Sequence, residues 1–168
     1  SVEARLVATL SALGWDAFVD GVRVRWPRIV LSGHSQGASH AAWLSTAVPA
    51  RAAVLLSGPQ ESSAVGAAWM DERAPMLRRA AYALREECGD EPYDARSFCA
   101  SRHAGLQRRN LQAMGLAPGL LGNGSGFVVL DYAPRVLGSG RAHHESVALG
   151  RQAGPAVAAL WLTLFSAL

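Results

Sequence analysis

Residues 28–43 run RIVLSGHSQGASHAAW, and the fold turns on how this stretch is understood. Ile29 to Ser32 is a short, mostly apolar run of the kind a strand buried on both faces shows. Gly33-His34-Ser35-Gln36-Gly37 follows, and from Gln36 to Val48 small and apolar residues recur at helical spacing until Pro49 stops them. Strand, Gly-x-Ser-x-Gly and helix, in that order, is the context in which this motif lifts a serine onto a tight strand-to-helix turn. The glycines are expected for a steric reason. Ser35 must take an unfavourable backbone conformation to raise its hydroxyl above the sheet edge, and side chains two residues either way would collide with strand and helix. Ala38, Ala41 and Ala42 suit a helix lying close against neighbouring strands.

Downstream, Arg51 to Ser57 (RAAVLLS) is a second buried strand closed by Gly58-Pro59, which completes a βαβ unit. Such a unit argues for an α/β fold: a mostly parallel sheet with flanking helices. Upstream, Val2, Leu6, Val7, Leu10 and Leu13 mark one face of a helix over residues 1–13, with Glu3 near its start and Gly14 as its stop. Residues 14–27 read as a loop. Residues 60–92 are expected to hold one or two helices and a loop, 94–101 (DARSFCAS) a third strand, and Leu106 to Met114 a helix. GNGSG at 122–126 marks a turn, FVVL at 127–130 a strand, and RVLGSG at 135–140 its hairpin partner, after which the chain from Ser146 is helical with a break at Gly154-Pro155.

Composition narrows the function. With 168 residues, 50% apolar and 17% charged, residues 1–168 form a single domain with a substantial core. The net charge of +3 comes from 16 basic residues, all arginine and spread along the chain, so the concentrated basic face of a nucleic-acid binder is missing. The most apolar run, 156–168, is shorter than the roughly 20 residues of a membrane span. Cys88 and Cys99 lack metal-type spacing; a local disulfide would imply an oxidising, extracytoplasmic compartment, and two free thiols would imply nothing. Ser1 opens on a helical pattern instead of a signal peptide, and the want of an initiating Met leads us to expect an upstream portion. EECGDEPYD at 86–94 reads as a solvated acidic loop, GNGSG as a plain turn with no following Lys, and Trp15, Trp26, Trp43, Trp69 and Trp161 as core or pocket lining.

A serine hydroxyl is a poor nucleophile at neutral pH, so a base must take its proton. Of the five histidines, His34 is held facing away from Ser35 and His40 lies along the helix; both are expected to pack or support. His103 could line the site or the surface. His143 and His144 sit on the loop after the last strand candidate, which fits a nucleophile-acid-base chain order, with His144 preferred and His143 the runner-up. The orienting acid is Glu61, just past RAAVLLSGP, or Asp131, at the end of GFVVLD, or absent; Glu61 is preferred. The Gln36 amide, at the positive end of the helix, supplies half of an oxyanion hole. No metal or organic cofactor is called for.

The segments SVEARLVATLSAL, WDAFVDG, WPRIVLSGHSQGASHAAWL and RAAVLLSGP, with a late His-x-Ser-Val, resemble a group of bacterial and fungal α/β-hydrolase-fold proteins. The likeness covers nearly the whole chain and is most specific over residues 1–59. It implies a doubly wound sheet, Ser35 as nucleophile, His144 as base, and an acid at the position of Glu61; it also implies an acid after the histidine matched by His103, where this chain has none. Early strands should precede the nucleophile and supply a second oxyanion N–H, yet only one helix and a loop do. The expectation is therefore a partial α/β-hydrolase fold with its early strands missing, an exposed sheet edge that promotes aggregation or pairing with another chain, and little or no esterase activity from these 168 residues alone, the activity being expected of a longer parent. The expected function is hydrolysis of small-molecule acyl esters through an acyl-enzyme at Ser35. The alternatives are acyl transfer and a non-catalytic binding module that keeps the turn as architecture.

Overall fold

A computed structural model describes residues 1–59, 61, 81–87, 103–118, 126–131, 158–159 and 161–162. Ser1 caps the first helix, α1 (Val2–Ala12), by accepting a hydrogen bond from the Ala4 N–H. Only Leu10 of its apolar stripe is buried, and Val2 stays 75% exposed. The segment read as a loop, 14–27, holds more structure than expected: β1 (Val19–Asp20) and β2 (Arg23–Val24) pair antiparallel between two short 3₁₀ turns at Asp16–Phe18 and Trp26–Arg28. Gly21, at φ 58, supplies the left-handed residue of the two-residue hairpin loop, a signal already present in Asp-Gly. Glu3 does more than favour the start of α1, because its Oε1 accepts the Val24 N–H at 3.1 Å and ties the helix to the hairpin. Glu3→Ala should cost about 1 kcal/mol, measured as a lower urea midpoint with an unchanged slope.

The main sheet has five parallel strands in the order β3-β4-β5-β7-β6: β3 (Val30–His34), β4 (Ala52–Leu56), β5 (Ala81–Glu87), β6 (Ala117–Pro118) and β7 (Gly126–Asp131). Between β3 and β4 runs α2 (Gln36–Ala47), and before β6 runs α3 (His103–Ala113), so the βαβ unit and the α/β class read from the sequence are present. β4 is buried at every residue, which is why its sequence is an unbroken apolar run. Ala53 and Leu55 face a core built from Ala38, Ala41 and Ala42 of α2, Leu111 of α3, and Met114 and Leu116 just past it. The small residues of α2 thus bring that helix close to the sheet, as expected.

One expectation is corrected in this region. Ala81–Glu87 (AYALREE), a strand, lies within the segment read as one or two helices and a loop, and its end takes in the first two residues of the acidic stretch. Leu, Arg, Glu and Ala are good helix formers, but pairing to β4 on one side and β7 on the other overrides that local preference. Asp131 ends β7 opposite Glu87. The helix over 106–114 is borne out within a few residues, and FVVL is a strand. The strand proposed at 94–101, the hairpin partner at 135–140 and Cys88 and Cys99 fall outside the described residues; of the final helix, Ala158, Ala159, Trp161 and Leu162 are helical.

Candidate active site

Ser35 joins the end of β3 to the start of α2 with φ 57 and ψ −121. This pair of angles belongs to the first central position of a type II′ turn, which glycine dominates; a serine there costs roughly 1–3 kcal/mol. Serine is also a common helix cap, so an incidental capping role must be weighed. That role does not hold: the Ser35 side chain makes no capping hydrogen bond, and the Ala38 N–H donates instead to the Ser35 carbonyl at 3.0 Å. The Ser35 N–H donates to the Leu56 carbonyl at 2.9 Å, continuing the β3–β4 ladder one step beyond His34 and Leu56. The strained residue is therefore clamped at the carboxyl edge of the sheet while its side chain is left for other work. Ser35 is partly exposed and Gln36 is exposed. As first residue of α2, Gln36 carries one of the N–H groups that have no acceptor within their own helix.

The glycines around the turn do different jobs. A Cβ on Gly33 would be driven into the Gly37 carbonyl and to 2.8 Å of the Ala38 nitrogen, whereas a Cβ on Gly37 would meet nothing within 4 Å. The expected collision thus exists on the strand side only; Gly37 is the backbone that is approached. A third glycine joins them, because a Cβ on Gly58 would sit 2.6 Å from both the Ser35 carbonyl and the Ala38 Cβ. Gly58 had signalled only the end of a strand. The chain leaving β4 through Ser57, itself fully buried at φ 50, therefore runs directly against the backbone of the turn.

Glu61 follows that segment. Its carboxylate Oε2 is buried and has no hydrogen-bond partner. Its backbone is held by α3: the Asn110 amide, itself buried, donates to the Pro59 carbonyl at 3.2 Å and to the Glu61 carbonyl at 3.1 Å. Nothing in the sequence signals Asn110, since a helical asparagine is usually a solvent-facing residue. Asn110→Leu should leave two carbonyls unpaired and cost about 2 kcal/mol, seen as a lower urea midpoint.

Protein-family models, curated proteins and solved structures were compared with the chain, and none matches.

The remaining candidates divide cleanly. Asp131 ends β7, three strand spacings from β3 or roughly 14 Å, while Glu61 leaves β4, the strand next to β3. Glu61 therefore follows a strand nearer the turn than the one Asp131 ends. β5 brings the backbone of Glu86 and Glu87 to the carboxyl end of a strand two places from β3, a position concealed in the sequence by its helix-like composition. His34 is half-buried, but His40 is exposed on α2, contrary to the packing role expected of it. His103 begins α3. His143 and His144 lie outside the described residues. Of the tryptophans expected in the core or lining a pocket, Trp15 and Trp43 are 54% and 46% exposed and so not core, Trp26 and Trp161 are partly buried, and Trp69 lies outside the described residues. No group of three or more metal-ligating side chains occurs among the described residues, and no described helix is long and apolar enough to cross a membrane.

Proposed function

We propose that the chain carries the serine nucleophile of an α/β-hydrolase that acts on small-molecule acyl esters. The observation that carries this is the backbone of Ser35, held at φ 57 and ψ −121 between a parallel strand and a helix with its side chain excluded from capping. Strain of this kind persists only where the surroundings over-determine it, and it clusters at working sites. In the proposed reaction, Ser35 Oγ attacks the acyl carbon as His144 takes its proton, and the carbonyl oxygen becomes an oxyanion facing the Gln36 N–H. Collapse breaks the ester bond, the leaving alcohol takes the proton from the imidazolium, and water then repeats the sequence on the acyl-enzyme. Glu61 accepts the other imidazole N–H and orients the ring. Acyl transfer differs only in that an alcohol replaces the water.

A second function is favoured by one observation. Among the described residues β3 is an edge strand, with Ser32 exposed, and an uncovered edge is a template for pairing with a second strand. A binding module that keeps the turn as architecture, or that self-associates along β3, would use that edge. Labelling by a fluorophosphonate probe separates the two functions. Covalent capture at Ser35 in the full-length protein, together with hydrolysis of a nitrophenyl ester, supports the enzyme; a folded, full-length chain that resists the probe supports the module.

A further inference from the structure

The chain leaving β4 holds Ser35 from two sides. The Ser35 N–H donates to the Leu56 carbonyl at 2.9 Å, and the Ser35 carbonyl, which accepts the Ala38 N–H at 3.0 Å, lies where a Cβ on Gly58 would stand 2.6 Å from it. Fixing the planar peptide groups before and after a residue fixes its φ and ψ. Between Leu56 and Gly58 stands Ser57, fully buried at φ 50. Ser35 and Ser57 are the non-glycine residues of positive φ among the described residues, and each follows one of the register partners His34 and Leu56. Strain at two neighbouring points persists only where the surroundings hold the segment down. The far end of that segment supplies the hold. Asn110 of α3, buried at 4% exposure, donates from Nδ2 to the Pro59 carbonyl at 3.2 Å and to the Glu61 carbonyl at 3.1 Å. A primary amide carries two N–H donors, so one side chain holds two carbonyls at once, which neither a leucine nor a single hydroxyl can do. Leucine is also the better helix former and would suit a position beside Leu111, which enters the core. The path from Asn110 runs through Pro59 to Gly58, its neighbour in the chain, and from Gly58 to the Ser35 carbonyl.

We propose that Asn110 is a positioning residue for Ser35: by pinning the chain after β4, it keeps Gly58 pressed on the turn and holds the serine in its strained, attack-ready backbone. This rests on Ser35 being the nucleophile of the proposed hydrolase, and it is independent of which carboxylate orients the base. Asn110 touches no reacting atom and acts only through the segment it holds.

Thermal midpoints give the first test. Ser35→Gly should raise the midpoint by about 2–4 °C in an otherwise wild-type chain and by less than about 1 °C in Asn110→Leu, where the serine is already free to relax. An equal rise in both backgrounds overturns the proposal, because an asparagine that only adds stability would leave the strain at Ser35 untouched. Where Asn110→Leu does not unfold cooperatively, Asn110→Ser, too short to hold two carbonyls, takes its place. The second test follows the rate of fluorophosphonate labelling against probe concentration in the full-length protein. Asn110→Leu should lower the maximal rate about tenfold with an unchanged half-saturating concentration, since a displaced hydroxyl impairs attack and not probe binding. Glu3→Ala, weakened at a contact far from the turn in the chain, should label at the wild-type rate. An unchanged maximal rate in Asn110→Leu, or equal slowing in Glu3→Ala, overturns the proposal. A wild-type protein that is never labelled refutes the hydrolase function itself, a separate failure, because the midpoints alone decide whether Asn110 holds Ser35.

Discussion

Ser35→Ala should reduce fluorophosphonate labelling to background, a loss on the order of 10⁵- to 10⁶-fold, because no other group can replace the attacking oxygen. Its stability should stay close to wild type, since the Cβ that makes φ 57 costly is retained. Ser35→Gly should be equally silent towards the probe but more stable. Relief of roughly 1–3 kcal/mol of backbone strain outweighs the roughly 0.5–1 kcal/mol that an extra glycine costs in conformational entropy, leaving a net gain of about 1 kcal/mol. The pair of variants separates chemistry from architecture. A residue kept for folding would weaken the protein when replaced by glycine, whereas one kept for function would strengthen it. A glycine variant with a lower urea midpoint than wild type would show that the turn is not strained as described.

Gly33→Ala and Gly37→Ala should move stability in opposite directions, although the two glycines are symmetric in the motif. At Gly33 the added carbon is driven into the Gly37 carbonyl and crowds the Ala38 nitrogen, all of them backbone atoms that cannot rotate aside. The start of α2 would have to lift from the sheet, uncovering the fully buried Ala38 and Ala42. The cost should exceed about 3 kcal/mol, a large share of the roughly 5–15 kcal/mol that holds a domain together, so the variant should express poorly or melt far earlier. At Gly37 no atom lies within 4 Å of the new carbon, and an alanine in the first turn of a helix should gain about 0.5–1 kcal/mol. Urea titration of both variants reads this directly, and equal shifts would refute the close approach of strand and helix. Gly58→Ala should behave like Gly33→Ala, since its carbon would press on the Ser35 carbonyl from the other strand.

The asymmetry of these glycines marks the boundary between local and tertiary information. Residues 28–57 announced their strand, turn, helix and strand because hydrophobic periodicity and Gly/Pro punctuation are local properties, and these elements follow one another without interruption. Ser35 could be picked out as exceptional for the same reason: its conformation is imposed by neighbours in the chain. β5 could not be recognised, because Ala81–Glu87 is a strand only through hydrogen bonds to β4 and β7, and its composition taken alone favours a helix. Gly58 against Ser35 and Asn110 holding the Glu61 segment join residues far apart in the chain. Local pattern carries no trace of such pairings, since what selects them is the packing of α2 and α3 on one face of the sheet. The sequence by itself determined the α/β class and the serine at the turn; the tertiary structure alone decided the order of the strands, which glycine is sterically required, and which side chain holds the backbone of the candidate acid.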